Sequence, residues 1–171
     1  STDCVFSGSR GNYIEDDIPD CSDFYGRSKL LGEINHSPNS ITLRTSIIGT
    51  ELKGNASLLD WFLSQSNQVL GYKNAIFSGF TTLEISKIIN NVIIPNPKLS
   101  GIYHLASEPI NKFSLLSIVK KIFKKRILII PDYNLSINRS LNSEKFYLQT
   151  KYIAPSWMEM IADLYNYKKH D

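Results

Sequence analysis

Hydrophobic residues recur along the 171-residue chain with two alternating periods. Short β-branched runs such as residues 41–48 have the composition of strands, whereas segments such as 56–66 space their apolar residues three and four positions apart, as one helical face requires. Because strand-like and helix-like segments alternate, the pattern predicts an α/β architecture. The sequence contains no internal repeat and no low-complexity tract.

Local signals set the bounds of the predicted elements. Capping-box patterns at Thr81-x-x-Glu84 and Ser156-x-x-Glu159 mark helix starts, while Pro95 ends a helix and Pro131 ends a strand. The predicted strands are residues 1–6, 41–48, 101–106 and 127–130. The predicted helices are residues 23–36, 56–66, the segment from Thr81 to Pro95, 114–125, 142–148 and 156–167; residues 7–21 and the Asn- and Ser-rich stretch after Pro131 are predicted loops.

Length and composition indicate one globular unit, residues 1–171, with 42% hydrophobic and 20% charged residues. No apolar stretch of about 18 residues predicts a membrane span, and the N-terminus lacks a signal-peptide pattern. Because two cysteines are too few for a secreted disulfide scaffold, we expect a cytoplasmic, reduced protein. The net charge is only +3. The basic run at 120–126 closes a helical pattern, where cations suit the helix dipole, and an anion or nucleic-acid patch is the weaker alternative.

The cysteines and histidines do not form the pattern of a metal-binding site. Cys4 and Cys21 lack a metal-ligand spacing and are too few for a disulfide scaffold, and the three histidines are scattered. His104 lies within an apolar run, which favours a hydrogen-bonded core histidine.

A candidate for chemistry is the pair Tyr25 and Lys29, four residues apart on one helical face. An ammonium group beside a phenol favours the phenolate, and such a tyrosine can exchange a proton with a substrate oxygen. The spacing alone says little, because chance predicts roughly 0.7 such pairs and the chain has three, the others being Tyr147/Lys151 and Tyr165/Lys169. Only Tyr25 follows a strand end with a hydroxyl residue, Thr2, which could share its side of a cleft.

Several motifs follow one another in a fixed order along almost the whole chain. They are Ser1-Thr2-Asp3-Cys4-Val5-Phe6, Tyr13-x-Glu15, Tyr25-Gly26-x-Ser28-Lys29-x-x-Gly32-Glu33, Leu43-Arg44-Thr45-Ser46, Ser100-Gly101-Ile102-Tyr103-His104-Leu105, Arg139-Ser140-Leu141-Asn142-x-Glu144-Lys145-Phe146 and Pro155-x-Trp157. In this order they resemble the dTDP-4-dehydrorhamnose reductase family of extended short-chain dehydrogenase/reductases.

The resemblance implies roles for individual residues. Thr2 would bind the keto oxygen of the substrate, and Tyr25 would donate the proton and also contact the cofactor. Lys29 would hold the nicotinamide ribose of NADPH or NADH and tune Tyr25. Main-chain groups around Ser46 and Ile47 would line the nicotinamide pocket. The stretches expected to face the substrate are 54–62, 75–82 and 134–142, with Asn55 and Arg139 as candidate nucleotide contacts; for Arg139 a solvated loop residue is the alternative.

The chain also departs from the family pattern. Cys4 stands where an aromatic residue is usual and Ile47 where a tryptophan is frequent, which bears on sugar specificity. No Gly-rich phosphate loop lies between a strand and a helix. We therefore expect a partial Rossmann-type parallel sheet that lacks the N-terminal cofactor-binding strands, joined to a small α/β substrate-binding lobe. The missing N-terminal Rossmann half would be a partner, and an open strand edge predicts self-association, for example as a homodimer.

The expected activity is NAD(P)H-dependent reduction of a 4-keto-6-deoxysugar nucleotide in surface-polysaccharide precursor synthesis, by a full-length protein. The chain alone is expected to be inactive and not to bind the cofactor. A nucleotide-sugar epimerase or dehydratase shares the Thr/Tyr/Lys arrangement and is the alternative within the enzymes. A non-catalytic, reductase-like binding or regulatory subunit is the alternative from another class.

Overall fold

The computed structural model describes residues 1–54 and 56–170, the last two by their backbone alone. Strands and helices alternate along the chain, and a 3₁₀ turn at Asp3–Val5 precedes them. The strands are β1 (Ile41–Arg44), β2 (Ile47–Ile48), β3 (Gln68–Phe77), β4 (Phe80–Thr81), β5 (Gly101–His104), β6 (Ile110–Asn111) and β7 (Leu128–Asn138). The helices are α1 (Phe24–Leu31), α2 (Leu58–Ser64), α3 (Thr82–Ile88, continued by a π-helical turn at Ile89–Ile93), α4 (Lys112–Ile122), α5 (Glu144–Thr150) and α6 (Trp157–His170).

Most of the strand pairs are parallel, as expected for an α/β fold. Strand β1 pairs with β5 and β2 pairs with β4, both in parallel. The third sheet has the order β6-β3-β7, in which β3 is parallel to β7 and antiparallel to β6. The predicted α/β class with a partial parallel sheet is confirmed.

Residues 41–48 form two strands instead of the one predicted, because the two ends of the segment pair with different neighbours. Between β1 and β2, Thr45 forms an isolated parallel bridge with Thr2. The predicted strand over residues 1–6 is wrong beyond Thr2. There the Thr2 hydroxyl accepts a hydrogen bond from the backbone N–H of Cys4 at 3.2 Å and so caps the 3₁₀ turn.

The prediction that a strand ends at Pro131, with a loop after it, is also wrong. Strand β7 continues through Pro131 to Asn138. In the described sheet β7 lies at an edge, where a proline that lacks an N–H is tolerated. The register between β3 and β7 shifts once: β3 advances from Tyr72 to Asn74 while β7 advances from Asp132 to Ser136, so β7 carries a bulge of two extra residues.

The predicted bounds of the helices agree with the structure better than those of the strands, because the residues that begin and end a helix act locally. The Ser156/Glu159 capping box forms in both directions, with bonds of 2.8 and 3.3 Å. Helix α1 is shorter than the predicted 23–36 and ends at Gly32. None of the described helices has the length and apolar character needed to cross a membrane.

Among the residues that the structure describes, two groups of buried side chains form the core. The larger group lies between the sheets and helices α2, α3, α4 and α6, and its fully buried members include Leu59, Phe62, Phe80, Ile88, Leu105, Leu115, Val119, Met160 and Ile161. The smaller group comprises Val5, Phe6, Tyr13, Ala106 and Leu141. The turn after Thr2 therefore packs on this smaller core and not on the larger one.

A buried ionic cluster connects the end of α1 to the sheet. Arg44, at the end of β1, donates two 2.8 Å hydrogen bonds to the carboxylate of Glu33, just beyond α1. Both side chains are nearly inaccessible, at 3% and 5% exposure. Burial by itself raises the pKa of Glu33, but the bonds from Arg44 and Ser1 outweigh it and bring the pKa below its usual range. The carboxylate is thus held ionised.

His104 completes this cluster and has a defined tautomer. Its Nδ1 lies 2.9 Å from the carbonyl oxygen of Tyr13, which can only accept, so Nδ1 carries the hydrogen. Nε2, 3.3 Å from Nη1 of Arg44, must then accept. Burial lowers the pKa of His104, with nearby Glu15 opposing and Arg44 reinforcing this shift. The predicted core histidine is confirmed.

The close approach of α1 to the 3₁₀ turn requires a glycine. A Cβ atom on Gly26 would lie 2.4 Å from the carbonyl oxygen of Cys4 and 2.7 Å from Cβ of Cys21. Since one of these neighbours is backbone, it cannot rotate away. Gly26 thus sets how near the residues on α1 come to Thr2.

Replacing Gly26 with alanine should lower the free energy of unfolding by roughly 1–3 kcal/mol, the usual cost of overpacking. Gly32, at the end of the same helix, provides the matched control, because its nearest atom to a new Cβ is 3.6 Å away. Gly32→Ala should change stability by less than about 0.5 kcal/mol. Urea unfolding measures both, and equal losses would contradict this account of the packing.

The lowered pKa of His104 predicts acid sensitivity. The stability that neutral His104 contributes is fully present above its unfolded-state pKa of about 6.5. It is lost as the pH falls from there through the lower folded-state pKa, because the unfolded chain then binds a proton that the folded chain does not. The loss is at most about 1.4 kcal/mol for each pH unit. His104→Asn, which keeps a donor for Tyr13, should remove this dependence between pH 8 and 5. Exposed His36→Asn should retain it, and an unchanged pH dependence in His104→Asn would contradict the assignment.

Candidate active site

The hydroxyl group of Thr2 makes two hydrogen bonds to neighbouring residues of its own turn. Thr2 is buried, accepts from Cys4 as described, and donates to Oδ1 of Asp3 at 3.1 Å. Burial raises the pKa of Asp3, while hydrogen bonds from Thr2 and Cys4 and the charges of Arg139 and Lys112 oppose the rise. A threonine hydroxyl has one hydrogen. Donation to a ligand therefore requires that the Thr2–Asp3 bond be given up.

Tyr25 and Lys29 stand on one face of α1 with their polar ends unused. Tyr25 is 54% exposed, and Nζ of Lys29 lies 5.7 Å from the centre of its ring. In the described part of the chain neither the phenol nor the ammonium has a hydrogen-bond partner. Lys29 also lines an open cavity of about 470 Å³ together with Ser28 and Thr42. Both groups are available to a ligand.

The other two tyrosine–lysine pairs show that spacing does not distinguish a site. Nζ of Lys151 lies 5.3 Å from the Tyr147 ring, much as in the first pair. Tyr165 packs against Phe123 with ring centres 4.9 Å apart, and the side chain of its lysine partner at 169 lies outside the described residues. What sets Tyr25 apart is the 3₁₀ turn against which its helix packs.

Ser46 and Arg139, predicted from distant parts of the chain, line one cavity. This inter-sheet cavity has a volume of about 140 Å³. Its walls come from the 3₁₀ turn, the β1–β2 junction, the end of β3, the start of α4 and the end of β7, and comprise Asp3, Cys4, Ser46, Ile76, Phe77, Lys112, Ile137 and Arg139. The β1–β2 junction and the ends of β3 and β7 therefore meet at this cavity.

Arg139 is tied to the turn and is not a free loop residue. Its Nε donates to the carbonyl oxygen of Phe6 at 3.0 Å, and Nη1 lies 3.5 Å from the thiol of Cys4. Burial raises the pKa of that thiol, and the adjacent Asp3 raises it further. Cys4 and Cys21 are both free thiols.

The remaining predicted residues are not gathered at this cavity. Ile47 pairs with Phe80 in the β2–β4 ladder and exposes 55% of its surface. Asn55 lies outside the described residues. The described part of the chain contains no cluster of His, Cys, Asp or Glu that could hold a metal ion.

Lys112 is the residue that sequence reasoning missed. It opens α4, directly after the helix cap Asn111, and lines the inter-sheet cavity with its Nζ 3.8 Å from the centre of the Phe77 ring. No sequence motif includes it, and its spacing from the other candidate residues carries no signal. Only the packing of α4 against β3 brings it to Asp3, more than a hundred residues away in sequence.

Solved structures with this fold include reductases of nucleotide sugars. A dTDP-4-dehydrorhamnose reductase from Bacillus anthracis, in complex with NADP, is 21% identical with a TM-score of 0.81 and is matched over 98% of this chain. A hypothetical dTDP-4-dehydrorhamnose reductase from Sulfolobus tokodaii is 25% identical with a TM-score of 0.69, over 92% of the chain. Nucleotide-sugar dehydratases and epimerases in complex with NAD share the fold at 12–16% identity.

A curated relative comes from zebrafish, Danio rerio. It is methionine adenosyltransferase 2 subunit beta, 26% identical over 136 residues that make up 72% of this chain. The chain spans 42% of that protein, and 63% and 60% of the Bacillus and Sulfolobus structures.

One protein family accounts for nearly the whole sequence. Residues 1–166 match the RmlD substrate binding domain. The fold and the order of the motifs agree with this match over the same residues. The chain therefore belongs to the RmlD substrate-binding domain family.

Proposed function

We propose that this chain supplies the substrate-binding and proton-transfer residues of a full-length reductase that reduces a 4-keto-6-deoxysugar nucleotide with NADPH or NADH, during synthesis of surface-polysaccharide precursors. The observation that carries the proposal is the position of Tyr25 and Lys29. Their polar groups have no hydrogen-bond partner in the described part of the chain, and their helix packs tightly against the Thr2 turn at Gly26.

Tyr25 is the proton donor in this proposal. Its hydroxyl has no competing partner among the described residues, so a substrate oxygen can occupy that position. The Lys29 ammonium, on the same face, favours the phenolate that remains after the proton has left. A general acid of this kind contributes roughly 10²–10⁴-fold to a rate.

Thr2 is the second donor to the same oxygen, and Asp3 governs when it can donate. An ionised Asp3 accepts the hydrogen of Thr2. A protonated Asp3, which its burial favours, can instead donate to Thr2 and leave the threonine hydrogen for the substrate. In this proposal the protonation of Asp3 therefore controls how the hydroxyl is oriented.

The residues present fit one end of a dinucleotide. The Lys29 ammonium has no hydrogen-bond partner among the described residues, which leaves its donors for the hydroxyl groups of a ribose. A bound nicotinamide cofactor would supply the hydride for the reduction. This chain's part is to hold the ribose through Lys29, to line the ring pocket near Ser46, and to deliver the proton from Tyr25.

A non-catalytic subunit is the second candidate, and the zebrafish relative favours it. That relative is named as a subunit of methionine adenosyltransferase. On this view the fold holds a partner protein, and Tyr25 and Lys29 keep their positions without redox chemistry. The two candidates differ in what happens when the Tyr25 hydroxyl is removed.

Replacing single tyrosines with phenylalanine in a full-length protein containing this chain separates these candidates. Tyr25→Phe should lower the reduction of a 4-keto nucleotide sugar by roughly 10²–10⁴-fold. Tyr147→Phe, the matched control with a similar lysine contact, should stay within a few-fold of the parent, as should Tyr165→Phe. Equal activity in all three would reject the catalytic assignment, and an epimerised or dehydrated product would favour the related enzyme classes.

Thr2 should show a graded effect in the same assay. Thr2→Val removes both the substrate donor and the cap, and should cost roughly 3 kcal/mol of transition-state stabilisation plus about 1 kcal/mol of stability. Thr2→Ser retains the hydroxyl and should restore most of the activity. If Thr2→Ser is as impaired as Thr2→Val, the hydroxyl is not the group that matters.

The isolated 171 residues should bind neither NADH nor NADPH tightly. Lys29 and the strand near Ser46 contact only the nicotinamide end in this proposal, and the sequence has no Gly-rich loop for the pyrophosphate. Cofactor fluorescence during titration provides the measurement. A micromolar dissociation constant would contradict this division of the binding site.

A further inference from the structure

The inter-sheet cavity contains more positive charge than its own carboxylate balances. Two cations, Lys112 and Arg139, and one carboxyl, Asp3, line it. Among the described residues neither cation forms an ion pair with a carboxylate. With all three groups ionised, the lining carries one net positive charge.

The donors of these cations are mostly unused. Lys112 has no hydrogen-bond acceptor in the described part of the chain, and its Nζ is in contact with the Phe77 ring. Arg139 uses Nε for Phe6 and Nη1 for Cys4, which leaves Nη2 without a described bond. A guanidinium has five N–H donors, so it can still bind an oxyanion through the remainder.

Burying Lys112 has an energetic cost that the protein only partly offsets. Burial lowers the pKa of Lys112, and the nearby Asp3 and Cys4 oppose this shift without removing it. The face of the Phe77 ring stabilises the cation but supplies neither a hydrogen-bond acceptor nor a negative charge. The ammonium is therefore in a position where an added anion would be stabilising.

The cavity is large enough for only one chemical group of a ligand. A water molecule occupies about 30 Å³ in the liquid, so a cavity of about 140 Å³ accommodates a single carboxylate or phosphate. A whole nucleotide sugar does not fit. The group that enters must project from a larger molecule that lies outside the cavity, or be a small ion.

We propose that the inter-sheet cavity binds one oxyanion group of the substrate, a carboxylate or a phosphate, through Lys112 and Arg139. That the anion belongs to the substrate rests on the proposed function; that the cavity binds an oxyanion does not. Lys112 then selects among nucleotide sugars by the acidic group that they present. It is a specificity-determining residue, separate from the proton donor Tyr25.

The test uses the 171-residue chain with inorganic phosphate as the probe, at constant ionic strength in chloride. In lysine-ε NMR spectra, the Lys112 signal should shift in a saturable way, and its pKa should rise on binding because a counter-ion favours the charged form. Lys112→Gln should weaken phosphate binding at least tenfold. Lys112→Arg, which keeps the charge, should recover most of it.

Lys73 supplies the matched control. Its Nζ lies 3.9 Å from the centre of the Phe113 ring, an equivalent contact with an aromatic face, but it does not line the cavity. Lys73→Gln should leave phosphate binding unchanged. Equal losses in Lys73→Gln and Lys112→Gln, or a phosphate effect no larger than that of chloride, would overturn the proposal.

Two further ligands distinguish the sources of the anion. Glucuronic acid presents a carboxylate on a sugar ring, and glucose 1-phosphate presents a phosphate. The ligand whose binding depends on Lys112 by tenfold or more identifies the group; binding of neither rejects the assignment to the substrate. Because no cofactor or turnover is involved, these results are independent of whether the full-length protein is a reductase.

Discussion

The buried ion pair between Glu33 and Arg44 determines where the candidate active site can form. It joins the end of the helix that carries Tyr25 to the end of β1, and His104 extends the contact to β5. Removing one partner of a buried pair commonly costs about 3–5 kcal/mol, since the other charge is left without compensation. Tyr25 is itself exposed, so its position depends on this pair and on the packing at Gly26 rather than on burial of its own ring.

The site divides into a part that is fixed and a part that is open. Thr2 and Asp3 are buried and bonded to each other, and they rest on the small core around Phe6. Tyr25 and Lys29 face outward, and none of the described residues accepts a hydrogen bond from their side chains. A ligand that enters between the two parts gains new hydrogen bonds from the helix but must exchange existing ones at the turn. The geometry of the turn therefore restricts what can bind more than the helix does.

Sequence patterns predicted the elements with local signals and failed where distant pairing decides. The alternation of elements and the capping box at Ser156 were visible directly, and the motif around Tyr25 indicated the candidate site. Strand β3 was missed, because its polar middle breaks the apolar pattern of the strand. Pro131 was taken as a strand end because edge position is a property of the folded sheet. Lys112 carries no signal at all, since only the long-range packing of α4 makes it part of a cavity.

Because β7 contains a bulge, the cavity can tolerate an insertion or deletion in this strand that a regular strand would not tolerate. Downstream of the bulge, Ser136, Ile137 and Asn138 return to register with β3, and this delivers Arg139 to Phe6. Each residue along a strand corresponds to roughly 3.3 Å, so a one-residue change in a regular edge strand would displace the guanidinium by that distance. Surplus residues at a bulge can absorb an insertion or deletion locally. An insertion or deletion within the exposed segment 133–135 would therefore leave the residues that line the cavity in register.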